Sequence, residues 1–184
     1  MLAYVFWHWP RPHIDAGAYE ESLVRFHRSL AADPPPGFQR SLSVRVDALP
    51  WPDAPAGGYE DWYLLDGSAA LDPLNNAAVS GAHKTPHNHA AHAAAGGAGG
   101  LYRFQDGALD PGDAPAAAWL GKPDGMGYAA FDVRLRAWTD GVRVGLWRRQ
   151  MVLGPAPEFC LLVPDGFLPP ADAAARVVRR RVVG

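Results

Sequence analysis

Residues 2–49, LAYVFWHWPRPHIDAGAYEESLVRFHRSLAADPPPGFQRSLSVRVDAL, read as strand, helix and strand in succession, and that order decides the fold. Leu2 to Trp9 is apolar and aromatic on both parities, with His8 as its one polar side chain, the pattern of a strand buried on both faces. Pro10 to Pro12 then turns the chain. Asp15 is placed to cap a helix over 16–32, in which Tyr19, Leu23, Phe26 and Leu30 share one face. Asp33-Pro34-Pro35-Pro36-Gly37 ends that helix, because proline supplies no N–H and glycine frees the backbone. From Phe38 to Leu49 the apolar Leu42, Val44 and Val46 alternate with Ser41, Ser43, Arg45 and Asp47, so a half-buried strand follows.

Beyond this stretch, a strand is expected over 59–65 and a helix from Asp66-Gly67-Ser68 through Val79. A further helical stretch has Thr85 as its cap and Pro86 at its first helical position. Gly96 to Gly100 should stop it, and 101–105 reads as a fourth strand, giving the order βαββαβ. Residues 106–118, DGALDPGDAPAAA, have linker composition.

The remainder resembles the beginning. Matched pairs lie 113 residues apart at Pro10 and Pro123, 109 at Tyr19 and Tyr128, 104 at Leu49 and Leu153, and 99 at Asp66 and Asp165. A steady fall is what a second copy with trimmed connections produces. Its elements would be a strand at 119–123, a helix over 127–138, a strand ending at Leu153, a strand over 159–163, a reduced helix at 170–175 and a last strand over 177–183. The expected fold is therefore α+β, with two tandem ferredoxin-like repeats, residues 1–107 and 119–184, joined by 108–118 and sharing one core.

The segment WHWPRPHIDAGAYEESLVRFHRSLAADPPPGFQRSLSVRV resembles the first βαβ of the dimeric α+β barrel proteins. That group includes EthD-like proteins, stress-responsive A/B barrel proteins and cofactor-free antibiotic-biosynthesis-type monooxygenases. The resemblance implies one pseudo-dimeric barrel from a single chain, with an apolar ligand pocket between its two sheets. It fixes no subfamily, and members range from enzymes to proteins without a known reaction.

The chain has 184 residues, 48% of them hydrophobic, which is enough for a full core and against disorder. With 17 basic and 19 acidic side chains the net charge is −2, so no broad basic field favours nucleic acid or anionic lipid. The arginine-rich tail 176–181 has valine flanks that suit a strand with solvated arginines. The single cysteine, Cys160, fits a reducing compartment, and its apolar strand suits an inert buried thiol. The start MLAYVFWHWPRP lacks the pattern of a signal peptide, and no run is long enough for a membrane helix, so a cytoplasmic protein is expected. A homodimer is compatible with this reading.

Two histidines are candidates for acid–base chemistry. His8 is either a base whose apolar setting keeps it neutral or a hydrogen-bonded histidine in a strand. His87 lies near the start of a helix that could face a barrel mouth. In the repeat alignment Arg45 falls on Arg149, so the two guanidinium groups would form an anion clamp if both point inward, or surface charges if they point outward. Trp7, Trp62 and Trp147 lie on expected strands and either line an aromatic pocket with Tyr63 and Tyr102 or pack the core.

The stretch 83–92 carries His83, His87, His89 and His92, but only His89 and His92 share a helical face, so no metal site is assigned. Phosphate-loop, dinucleotide and nucleophile-elbow motifs are absent, and AAAGGAGGLY follows a helix where a phosphate loop precedes one, so no cofactor is expected. The leading expectation is a protein that binds a small apolar or aromatic molecule in the barrel, with cofactor-free oxygenase or isomerase chemistry open. The alternatives are a non-catalytic binding or assembly protein with a packed barrel, and a metal or haem protein using 83–92.

Overall fold

A computed structural model of the chain describes residues 1–151 and 153–184. Its elements are β1 (Leu2–Pro10), α1 (Ala16–Ala32), β2 (Phe38–Val46), β3 (Gly58–Leu65), α2 (Leu71–Ala78), α3 (Lys84–Ala93), β4 (Ala94–Gly107), β5 (Ala116–Leu120), α4 (Tyr128–Thr139), β6 (Gly145–Arg149), β7 (Phe159–Val163) and β8 (Arg176–Val183). The strands close into an antiparallel barrel in the order β1-β3-β2-β8-β5-β7-β6-β4, and β4 returns to β1. Strands β4, β1, β3 and β2 from the first half are contiguous, as are β8, β5, β7 and β6 from the second. The halves meet where β2 pairs with β8 and β4 with β6. Among the described residues, no helix is long and apolar enough to cross a membrane.

Strand alternation sorts the core into an inside and an outside. Val5 and Trp7 of β1 and Trp62 and Leu64 of β3 point into the barrel, where they meet Trp119 and Trp147. The Trp7 and Trp119 rings are 5.2 Å apart and Trp62 and Trp147 are 5.4 Å apart, both edge to face. Burying an indole removes roughly 150–250 Å² from water, which stabilises the fold by about 4–6 kcal/mol at ~25 cal/mol per Å². The expected pocket lined by Trp7, Trp62 and Trp147 is therefore corrected: the rings that were to line it fill it.

One ion pair lies among them. Glu60 accepts from the indoles of Trp7 and Trp62 and from Arg180 Nε, each at 3.1 Å, and Arg180 Nη1 donates to the carbonyls of Pro111 and Ala114 at 2.9 Å. Pairing and hydrogen bonding together make these buried charges tolerable.

The helices cover the outer face. Helix α1 runs over the residues expected, and the Asp15 carboxylate accepts from the Ala18 N–H at 3.0 Å. With α2 and α3 it lies over β1 and β3, while α4 packs Phe131 and Leu135 over β5 and β7.

Several boundaries differ from expectation for local reasons. Helix α3 starts at Lys84, not after Thr85, because a 3-10 turn over Gly81–His83 leads directly into it. The glycines at 96–100 continue β4 instead of ending a helix. They lie opposite the aromatic residues of β1, and a Cβ would come within 2.6 Å of the Trp9 ring at Gly96, 2.4 Å of Phe6 at Gly97 and 2.7 Å of Tyr4 at Gly99. Ala116 to Ala118, expected in the linker, are the buried start of β5. Strand β6 ends at Arg149, short of Leu153, and the Val152 portion of that expected strand lies outside the described residues.

Candidate functional site

The outward residues of β1 and β3 form a small grid, in which Tyr4 lies opposite Tyr63, Phe6 opposite Asp61, and His8 opposite Tyr59. Helices α1, α2 and α3 roof this grid without filling it. Between them lies a cavity of about 400 Å³ whose floor is Tyr4, Phe6, His8, Asp61 and Tyr63. Tyr19, Leu23 and Phe26 of α1 form one wall, Leu74 and Asn75 of α2 a second, and His87 and Ala90 of α3 a third. Stacked rings line the floor, with Tyr4 5.9 Å from Tyr63 and Phe6 5.4 Å from His8.

Asp61 organises the polar part. Its Oδ1 is 3.2 Å from His8 Nε2 and 3.2 Å from His27 Nε2, and all three residues are buried. Both contacts are of ion-pair length, so the carboxylate bridges the two rings. The Tyr63 hydroxyl donates to Oδ2 at 3.1 Å. Burial opposes ionisation of Asp61, but the charges of His8 and His27 outweigh it and hold the carboxyl well below the usual carboxylate range. Burial, reinforced by the Asp61 charge, pushes the hydroxyls of Tyr63 and Tyr19 up, so both stay protonated donors.

The far nitrogens of the two imidazoles complete the chain of contacts. His8 Nδ1 is 2.7 Å from the Tyr19 hydroxyl, and His27 Nδ1 is 2.7 Å from Ser41 Oγ. On His8 the Nε2 edge faces the Asp61 carboxylate and the Nδ1 edge faces the Tyr19 hydroxyl. A phenol, an imidazole and a carboxylate thus stand in series at the cavity floor. That arrangement can take up a proton and balance the imidazolium it creates.

The residues singled out in the sequence fall in different places. His8, Tyr63 and His87 come together at the cavity, with the His87 ring 5.3 Å from Phe26. Trp7, Trp62 and Trp147 are on the opposite side of the sheet, inside the barrel. Tyr102 is also inside, donating to the Pro157 carbonyl at 2.7 Å.

The arginine clamp does not form. Arg45 faces outward and pairs with Glu20 at 3.3 Å, while Arg149 donates to the Ala156 carbonyl at 2.5 Å. His89 is exposed, and the exposed His92 donates from Nδ1 to the Asn88 carbonyl at 2.7 Å. Among the described residues, no group of three or more His, Cys, Asp or Glu is arranged to hold a metal ion. Cys160 is buried in the barrel, where burial pushes its thiol up.

Asp61, Tyr19 and His27 were missed. The signal for Asp61 was present in YEDWYLL, where alternation puts one acid on each face of an otherwise apolar strand. His27 follows Leu23 by four residues, on the apolar side of α1.

No family model matches the chain, and no curated protein matches it in sequence. Among solved structures, it is similar to the crystal structure of a candidate monooxygenase from Fusobacterium nucleatum subsp. nucleatum ATCC 25586, with a TM-score of 0.61 and 11% identity over 100% of this chain and 92% of that one. At that identity the likeness is one of fold, and the fold it supports is the barrel.

Proposed function

We propose that the protein binds a small aromatic molecule in the cavity between the barrel and helices α1–α3, and that Tyr19, His8 and Asp61 move a proton there without a cofactor. The observation that carries this reading is the serial contact of phenol, imidazole and ionised carboxylate at the floor of an aromatic-walled space of about 400 Å³. The base, its counter-charge and the phenol are all side chains, so the step needs no other group. The candidate monooxygenase of similar fold agrees with this in kind. The barrel itself we read as two tandem ferredoxin-like units, residues 1–107 and 116–184, the second beginning with β5 and not at 119, because each half contributes four adjacent strands in the order fourth, first, third, second.

The test is a fluorescence titration with the neutral apolar probe N-phenylnaphthylamine. Binding is expected to fall at least about tenfold in His87→Trp, which narrows the cavity, and to be unchanged in Tyr102→Phe, which alters only the barrel interior. Equal binding by wild type and His87→Trp would overturn the assignment.

A further inference from the structure

We propose that His27 regulates the proton-transfer site from the side away from the cavity, as a positioning residue that acts on His8 through Asp61: the two imidazoles hold one proton in turn, not two together. The inference rests on the proton-transfer role proposed above. His8 and His27 are placed alike. Each has Nε2 3.2 Å from the same oxygen, Asp61 Oδ1, and each has Nδ1 2.7 Å from a hydroxyl, that of Tyr19 for His8 and that of Ser41 for His27. Their surroundings differ. His8 and Tyr19 line the cavity, whereas His27 does not, and Ser41 on β2 is half-buried. A proton therefore reaches His8 from the ligand and His27 from water.

One carboxylate balances one imidazolium. All three residues are buried, and among the described residues no charged group besides Asp61 lies within ion-pair distance of either ring. Tyr59 stacks 5.6 Å from His8 and Tyr63 5.4 Å from His27, and burial pushes both hydroxyls up, so they stay neutral. Glu20, beyond the Tyr59 hydroxyl, is paired with Arg45 and Arg181. Asp72 and His87 line the cavity but pair with neither ring. A second imidazolium would leave the trio with a net positive charge out of water, so protonation of one ring opposes protonation of the other. A proton on His27 takes the counter-charge that His8 needs and weakens His8 as a base. Conversely, when His8 gains the proton of a ligand, the ligand keeps the electron pair of the broken bond, His27 yields its own proton to water, and the charge of the trio is unchanged.

Proton–nitrogen correlation NMR of the imidazoles follows both protons without any ligand, in wild type, His8→Gln and His27→Gln. The ring that takes its proton at the lower pH in wild type is expected to take it about one pH unit higher once the other ring is gone, a gain in proton affinity of about tenfold. If the glutamine variants do not fold, the wild-type curves decide, because a shared carboxylate requires two separate steps. Unchanged curves in both variants, or uptake of both protons in a single wild-type step, would overturn the proposal. Equal probe binding by wild type and His87→Trp, with the coupling of the two rings intact, would overturn only the binding role of the cavity.

Discussion

Glu60 and Asp61 are consecutive in the chain, both buried, and they serve opposite sides of one sheet. Glu60 points into the barrel and holds Arg180, whereas Asp61 points out and holds His8 and His27. A strand turns successive side chains to opposite faces, so one peptide bond separates a carboxylate that fixes the barrel from one that serves the cavity.

The two acids should therefore fail differently. Glu60→Gln leaves Arg180 buried beside a neutral partner, and breaking a buried pair typically costs about 3–5 kcal/mol. Urea unfolding should show a loss of that order, while N-phenylnaphthylamine binding to the folded fraction is unchanged. A variant as stable as wild type would mean that the carbonyls of Pro111 and Ala114 alone suffice for the guanidinium.

Asp61 carries a pH signature. Its folded-state pKa lies below the unfolded value of about 3.9, so its ionised form contributes stability above that value, and the contribution is lost as pH falls through the depressed folded value. Asp61→Asn should be less stable than wild type by about 1–3 kcal/mol near neutral pH, and the gap should close only in strong acid. Denaturant melts at a series of pH values check this. A gap that opens on acidification would contradict the assigned direction.

His8 and Tyr19 can be tested for proton transfer with a neutral reporter. Nitrobenzisoxazole opens when a base removes its C–H proton, and the product phenolate absorbs visibly. A positioned imidazole is worth about 10²–10⁴-fold, so His8→Gln should lose at least about a hundredfold of the rate above background. Tyr19→Phe should lose about tenfold, because the hydroxyl that hands protons to Nδ1 is gone. Ring opening at the wild-type rate in His8→Gln would remove His8 as the base.

Much of the frame was legible because it depends on local pattern. The Asp15 cap, the alternation in β2 and the apolar run of β7 each follow from a few adjacent residues. What depended on register was less accessible. Glu60 lies opposite Trp7 and Val44, while Cys160 lies opposite Trp119 and Trp147. Superposing the halves through those positions puts Arg45 on Arg148, one residue from the Arg149 chosen by matching Leu49 with Leu153. A slip of one residue in a strand exchanges the faces, and this alone dissolves the clamp. The site was half legible. His8 is conspicuous as the one polar side chain in β1, but Asp61, Tyr19 and His27 meet it only because α1 lies over β1 and β3, a layering that no short window of sequence contains.

The grid of β1 and β3 also supplies a rule for sorting natural or laboratory variants. In β1 the odd positions 3, 5 and 7 face the barrel and the even positions 4, 6 and 8 face the cavity, and in β3 the parities are reversed. Substitutions at Trp7, Glu60 or Trp62 should register as changes in abundance and melting, whereas those at Phe6, His8, Asp61 or Tyr63 should also change ligand choice. New specificities can then arise on one side of a sheet whose other side remains unchanged.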